Sequence, residues 1–212
     1  MDLGQPISSV IPSVQGSVLA VLVSTTRPLS QVEITNLVKP AASRSGVRNA
    51  LGNLETAGLV IREDHPPAAL YVLNRDHLAG NAIVALAQLR QRMFDAFTHE
   101  LSQWSIPAVT AVLFGSAARG DGDAHSDIDL LVIRPDHIAA LDATWADQRS
   151  DLAARGWRWT GNEVNVVEYP RSEFRRLWRA HEPFLHAADD EGVVLSGVPL
   201  RECASASKAG SR

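Results

Sequence analysis

Apolar residues in the first third of the chain recur at three- and four-residue steps, in three short segments separated by turn residues. This spacing predicts amphipathic helices over residues 14–24, 30–40 and 43–58. The second segment opens with Ser30 and Glu33, the pattern of a helix capping box. Three short helices joined by tight turns indicate a helix-turn-helix unit.

Two short strands are predicted after these helices. Residues 59–62 and 69–73 are mainly apolar, and the polar segment between them forms the tip of a wing. The order of elements over residues 13–74 resembles the winged-helix repressors, notably in the run Ser-Gly-Val-Arg-Asn-Ala-Leu-Gly-Asn-Leu-Glu-Thr-Ala-Gly-Leu-Val that starts at Ser45. The resemblance implies an N-terminal winged helix-turn-helix domain, which we place at residues 1–77.

In that architecture the third helix enters the major groove of DNA. The exposed residues early in this helix are predicted to be Arg44, Ser45, Arg48 and Asn49. Their side chains are of the types that bind guanine, adenine and phosphate. Residues 1–77 hold six Lys or Arg and six Asp or Glu, so we expect DNA binding through residues 43–57 to be modest and salt-sensitive. A protein-protein or dimerisation module is the alternative.

A long amphipathic helix is predicted over residues 78–104. Its apolar residues continue at three- and four-residue steps, and no proline interrupts them. We interpret it as a connecting helix that packs on the second domain or pairs two subunits of a homodimer.

After residue 104 the pattern changes to short apolar runs. The residues with candidate chemical roles lie in these runs or directly beside them. Residues 108–114 predict a strand that ends at Gly115 and Ser116, and a glycine-serine corner between strand and helix suits a phosphate group. Ten residues separate Ser116 from Asp127. Asp127 and Asp129 occupy alternate positions in a second predicted strand, so both carboxylates face the same side. Adjacent hard oxygen ligands favour Mg²⁺ or Mn²⁺.

This order of Gly-Ser, spacer and Asp-x-Asp resembles the signature of the polymerase-beta-type nucleotidyltransferase superfamily. The small bacterial members are the most similar, because they share Arg119-Gly120 and the serine before the first aspartate. The resemblance implies a small mixed-sheet nucleotidyltransferase domain, placed at residues 105–200. It also implies transfer of a nucleoside monophosphate from an NTP such as ATP to an acceptor hydroxyl, with release of pyrophosphate.

The same resemblance assigns roles to individual residues. Gly115 and Ser116 would hold the triphosphate, and Arg119 would neutralise it. Asp127 and Asp129 would bind the metal ions and act in catalysis. Positioning and electrostatic stabilisation would supply most of the rate.

The resemblance also implies a third carboxylate on a neighbouring strand, and the matching position is Asn165 in the segment 162–169. An amide cannot act as a base. Glu163 lies two residues earlier and would share the face of Asn165, so it is a candidate catalytic carboxylate or an exposed strand-end residue. Glu168 is three residues after Asn165, so it would face the opposite side of the strand.

Composition adds limits to this α+β architecture. The chain has 212 residues, 45% of them hydrophobic, which can support two small domains. One cysteine excludes an intramolecular disulfide. The sequence has no signal peptide and no apolar run of membrane length, so we expect a cytoplasmic protein without a membrane partner. Residues 201–212 have the composition of a disordered tail.

Three functions remain open. The first is a Mg²⁺-dependent nucleotidyltransferase acting on an unidentified acceptor: a protein hydroxyl, an RNA end or a small molecule. The second is a transcriptional regulator whose second domain senses a nucleotide without turning it over, a possibility favoured by Asn165. The third is an antitoxin-like transferase that modifies a partner protein.

Overall fold

The structure, a computed structural model, describes residues 1–205 and divides into two compact units. One unit contains residues 4–90 together with Asp2, and the other contains residues 91–205 together with Met1 and Leu3. Buried apolar clusters lie within each unit, so each has a core of its own.

The N-terminal unit contains the three helices that the hydrophobic spacing predicts: α1 (Val14–Val23), α2 (Gln31–Leu37) and α3 (Arg44–Thr56). The capping box at the start of α2 is confirmed. The Ser30 hydroxyl accepts from the Glu33 amide at 3.3 Å, and the Glu33 carboxylate accepts from the Ser30 amide at 2.8 Å. The hydrogen bond from the Ser30 amide is the main reason why the pKa of Glu33 is lowered from 4.5 to about 2.

The unit also contains an antiparallel sheet of β1 (Leu29–Ser30), β2 (Val60–His65) and β3 (Ala68–Leu73), in the order β1-β3-β2. The predicted hairpin is present, but β2 continues through residues 63–65, which were expected to form the turn. Strand β1 was not predicted. With two residues it is too short to show an alternating pattern, and it is defined only by its pairing with β3.

The prediction of one continuous helix over residues 78–104 is wrong. The chain forms α4 (Gly80–Ala87) and α5 (Leu89–Ser102), and Gln88 leaves the helical conformation between them. Ile83 of α4 is buried in the N-terminal core, whereas Phe97 of α5 is buried in the C-terminal core. The apolar residues of α4 pack in one core and those of α5 pack in the other. The three- and four-residue spacing of apolar residues therefore continues across Gln88, and it does not indicate that a helix ends there.

The C-terminal unit is built on a mixed sheet in the order β6-β5-β4-β7. Its strands are β4 (Thr110–Phe114), β5 (Ile128–Arg134), β6 (Val164–Pro170) and β7 (Val193–Gly197). β5 and β6 are parallel, and β4 is antiparallel to both β5 and β7. The mixed sheet predicted for this part of the chain is therefore confirmed.

Helices cover the two faces of this sheet. They are α5 and the further helices α6 (Gly115–Arg119), α7 (Ala143–Thr160), α8 (Arg171–Arg179), α9 (Pro183–Glu191) and α10 (Leu200–Ser205). Alternate residues of β5 enter different cores, as the strand period requires. Leu130 packs in the core with residues of α5 and α7, and Leu131 packs in the core with residues of α8, α9 and α10.

The C-terminal end differs from the predicted disordered tail over residues 201–212. Residues up to Ser205 form α10, and its Leu200 and Cys203 are buried. Their three-residue spacing anchors one side of this short helix, and burial raises the pKa of the Cys203 thiol. Residues 206–212 lie outside the described part of the chain.

No helix among residues 1–205 combines the length and the apolar character needed to span a bilayer.

The packing of α7 gives a testable prediction. A methyl group placed on Gly156 would lie 2.7 Å from Cζ of Phe97 and 2.7 Å from Cγ2 of Val164. We therefore expect Gly156→Val to lower the free energy of unfolding by about 2 kcal/mol, because the core around it has no room. Thermal denaturation followed by circular dichroism measures the effect.

Ala154→Val on the exposed side of the same helix is the matched control. It should cost only about 0.5 kcal/mol, the propensity difference between the two residues. Equal effects of the two substitutions would contradict the packing described here.

Candidate active site

Two aspartates lie at the start of β5. Asp127 directly precedes the strand and is exposed, and Asp129 is its second residue and is half-buried. Both have the parity of Leu131, whereas Ile128 between them is fully buried in the opposite core. The two carboxylates therefore share one face of the sheet.

The amide of Asn165 joins the two aspartates. β6 places Asn165 directly beside Asp129 in the parallel register. Its Nδ2 donates to Oδ2 of Asp127 at 3.0 Å and to Oδ1 of Asp129 at 3.3 Å. Ionised carboxylates only accept hydrogen bonds, so the nitrogen of the amide must face them. The side chain at the position predicted for a third carboxylate thus contacts the first two carboxylates. It contacts them as a hydrogen-bond donor, because it is an amide.

The glycine-serine corner meets the aspartates across the β4–β5 pair. Phe114 is paired with Asp129, and Gly115 follows with a φ of 71°. A Cβ at Gly115 would lie 2.9 Å from Oδ2 of Asp129. Glycine is therefore required at this position for two reasons. The positive φ disfavours other residues, and the carboxylate of Asp129 occupies the space that a Cβ would need.

The spacer between the corner and the aspartates is an ordered turn. The Asp123 carboxylate accepts from the amide of His125 at 2.8 Å and from the hydroxyl of Ser126 at 3.1 Å. These hydrogen bonds, the amide of His125 first, lower the pKa of Asp123. Asp123 thus stabilises the turn that precedes Asp127.

Sequence reasoning missed two residues that hold this spacer. Gly122 is buried, and a Cβ there would lie 2.9 Å from the Ser116 hydroxyl oxygen. Asn162 is 3% exposed, and its Nδ2 donates to the carbonyl of Ser126 at 2.9 Å. Both stand in polar segments that are typical of ordinary turns, so the sequence contains no signal that separates them from solvated loop residues.

Arg119 lies at the end of α6 and is held by two acids. Its Nε donates to Asp121 at 3.0 Å and its Nη1 donates to Glu191 at 2.8 Å. The hydrogen bond with Glu191, followed by that with Asp121, raises the pKa of the guanidinium group. Glu191, at the end of α9, was not among the predicted site residues because it is far from the motif in sequence.

The two glutamates near β6 occupy different environments. Glu163 is exposed, and its backbone carbonyl accepts from the amide of Ile128 at 2.8 Å. Glu168 is nearly buried, where it accepts from Nε of Arg134 at 2.6 Å and lies 2.8 Å from Nη1 of Arg149. This ion-paired position, on the opposite face from Asn165, makes Glu168 a structural residue.

Among residues 1–205, no group of three or more His, Cys, Asp or Glu side chains is placed to hold a metal ion. Asp127 and Asp129 are therefore not joined by Glu163 as a third ligand in this structure. The carboxylate pair and the amide of Asn165 form the centre of the candidate site.

The residues predicted to contact DNA lie in the N-terminal unit. Four side chains near the start of α3 are exposed: Arg44, Ser45, Arg48 and Asn49. Val47 and Leu51 point into the core of that unit. The exposed face of α3 therefore carries the polar groups that the sequence pattern assigned to it.

A comparison with known families agrees with this geometry. Residues 97–181 match the family described as the nucleotidyltransferase domain. This part of the chain is similar to a nucleotidyltransferase domain. The match includes the Gly115 corner, both aspartates and Asn165. No curated protein sequence matches the chain.

Parts of several solved structures align with this chain. The crystal structure of a toxin-antitoxin with AMP-PNP has 21% sequence identity and a TM-score of 0.37, over 52% of this chain and 80% of that one. A protein of Sulfolobus solfataricus assigned as a nucleotidyltransferase has 21% identity and a TM-score of 0.31, over 50% and 82%. TrmBL2, an archaeal chromatin protein, has 12% identity and a TM-score of 0.28, over 82% and 70%.

The contact between Gly115 and Asp129 generates a prediction. Gly115→Ala should lower the free energy of unfolding by about 2 kcal/mol, because strain at positive φ is added to a collision with the carboxylate. It should also weaken the binding of Mn²⁺, since Asp129 must move. Calorimetry measures the first effect and a Mn²⁺ titration the second.

Gly161→Ala is the matched control. Gly161 has a φ of 75°, and no atom lies within 4 Å of the position of its Cβ, so the substitution introduces the strain without the collision. If both variants lost the same stability and bound Mn²⁺ equally, Gly115 would have no special relation to Asp129.

Proposed function

We propose that the C-terminal unit transfers a nucleoside monophosphate from an NTP to an acceptor hydroxyl in a reaction that needs Mg²⁺ or Mn²⁺. The observation that carries this proposal is the pair of carboxylates, Asp127 and Asp129, directly beside the Gly115 corner. The match of residues 97–181 to the nucleotidyltransferase domain supports it.

The donor atoms of the site fit a hard divalent cation. Asp127 and Asp129 offer adjacent carboxylate oxygens on an accessible face, and Mg²⁺ takes such ligands together with water and phosphate oxygens. When bound, the ion stabilises the negative charge that develops on the phosphate oxygens. Asn165 orients the two carboxylates by donating to both.

The corner between β4 and α6 is the proposed seat of the triphosphate. Gly115 has no side chain to exclude a phosphate oxygen, and the hydroxyl of Ser116 is an available type of donor. Arg119 would contact the triphosphate by exchanging the carboxylates of Asp121 and Glu191 for phosphate oxygens. Such an exchange keeps the guanidinium group paired with negative charge throughout.

The transfer itself forms one bond and breaks one. The acceptor oxygen bonds to the α-phosphorus, the bond from that phosphorus to the bridging oxygen breaks, and pyrophosphate leaves. The acceptor hydroxyl loses its proton. We assign this proton to Glu163, because the amide of Asn165 cannot accept it and Glu163 is an exposed carboxylate two residues earlier.

Pyrophosphate release tests the enzymatic proposal. With Mg²⁺ and labelled NTPs the chain should release pyrophosphate, and the double change Asp127→Asn and Asp129→Asn should lower the rate by about a hundredfold or more, because the charge that binds the cation is lost. Glu163→Gln should lower the rate while leaving nucleotide binding intact.

Asp151→Asn, on the exposed side of α7, is the control and should retain the wild-type rate. Unchanged pyrophosphate release after loss of both aspartates would contradict the proposed site.

We propose further that the N-terminal unit is a winged helix that binds DNA. The order α1, β1, α2, α3, β2, β3 and the three-stranded antiparallel sheet support this assignment. Arg44 and Arg48 are exposed at the start of α3, where they can reach phosphates and base edges. We therefore assign the DNA contacts to α3 and the wing to the β2–β3 hairpin.

Salt-dependent binding tests the role of α3. Arg48→Ala should weaken binding to double-stranded DNA of mixed sequence by about tenfold and reduce the slope of log K against log salt by about one, because one phosphate contact is lost. Fluorescence anisotropy at several salt concentrations measures both quantities.

Arg158→Ala, an exposed arginine of the other unit, is the control and should leave binding unchanged. If the chain binds no DNA and forms dimers in sedimentation, the N-terminal unit is instead a dimerisation module.

Asn165 favours a second candidate function. A site that binds a cation and an NTP but has an amide in place of a base is suited to sensing a nucleotide without consuming it. In that case no pyrophosphate would form, and adding NTP with Mg²⁺ would change the affinity of the chain for DNA.

A further inference from the structure

We infer that Asn165 limits the site to a single divalent cation for each bound triphosphate. This inference rests on the proposed function, because it concerns the cation held by Asp127 and Asp129. It goes further by assigning to Asn165 control over how many ions the site accepts.

The first argument is the direction of the amide. Nδ2 of Asn165 donates to Oδ2 of Asp127 and to Oδ1 of Asp129, so the positive end of the amide dipole points between the carboxylates. A second cation at this place would meet N–H groups, which cannot coordinate it. Sites with two metal ions hold them about 4 Å apart and share carboxylate oxygens between them.

Rotation of the amide does not remove this restriction. Turning Oδ1 toward a cation would break the hydrogen bonds at 3.0 and 3.3 Å. The oxygen gained would be neutral, so it would contribute no charge against the repulsion between two divalent ions. A carboxylate at residue 165 would supply both the ligand and the charge.

The neighbouring acid of β6 is engaged elsewhere, because Glu168 is paired with Arg134 and Arg149. No third acid among the described residues joins the aspartates as a metal ligand.

The consequence concerns the acceptor. The single ion accompanies the triphosphate, so the acceptor oxygen approaches without a metal ligand of its own. Its deprotonation then depends on a protein base or on solvent, and transfer is slow unless the acceptor is acidic.

Counting bound Mn²⁺ tests this inference without measuring turnover. The full chain is mixed with each common α,β-methylene ribonucleoside triphosphate in turn and titrated with Mn²⁺, and electron paramagnetic resonance reports the free ion. The wild type should bind about one Mn²⁺ tightly, and Asn165→Asp should bind about two, because the new carboxylate completes a second site.

Asn165→Ala is the matched control, since it removes the amide without adding an acid, and it should still bind about one Mn²⁺. Circular dichroism melting, recorded for each variant, confirms that the fold is retained. The wild-type measurement stands even if a variant fails to fold.

Each outcome has one meaning. About two ions in the wild type, or no additional ion in folded Asn165→Asp, would overturn the inference and leave the proposed function intact. Absence of nucleotide-dependent Mn²⁺ binding to the wild type with every analogue would overturn the proposed function itself.

Discussion

The register of three neighbouring strands is the constraint on which the candidate site depends. Phe114 of β4, Asp129 of β5 and Asn165 of β6 are aligned in one row across the sheet. Because strand side chains alternate, a shift of one residue in β5 would turn Asp129 into the apolar core and Leu130 out of it. The apolar residues that alternate with the aspartates and continue along β5 therefore hold the carboxylates on the accessible face.

The strand register places the acidic side chains of β5 and β6 in two different environments, one buried and one accessible to solvent. The buried acid of β6, Glu168, is neutralised by Arg134 and Arg149, as a charge removed from water requires. The two aspartates of the accessible face have only a neutral donor, Asn165, between them. The negative charge of the two aspartates thus lies on the accessible face, where the proposed cation would bind.

Much of this organisation could be predicted from local patterns. The capping box at Ser30 and the helices of the N-terminal unit follow from the spacing of residues within a few positions. The mixed sheet was implied by the family resemblance of the motif around Asp127 and Asp129. The errors lie where a local pattern has more than one tertiary solution. The apolar periodicity over residues 78–104 is compatible with one helix that packs on one core. It is equally compatible with two helices that pack on two different cores, and this second arrangement is the one in the structure. The end of the chain was misread because two buried side chains, Leu200 and Cys203, are enough to anchor a short helix.

The amino-acid sequence alone establishes the chemical groups of the site: a glycine-serine corner, two carboxylates at alternate positions and an amide where a third acid was expected. These follow from residue identity and from the period of a strand, which are local properties. The pairing of Asn165 with both aspartates, the engagement of Arg119 by Glu191 and the neutralisation of Glu168 by Arg134 required the tertiary structure. Each of these contacts joins residues more than thirty positions apart, and no local pattern encodes which distant strands and helices come together.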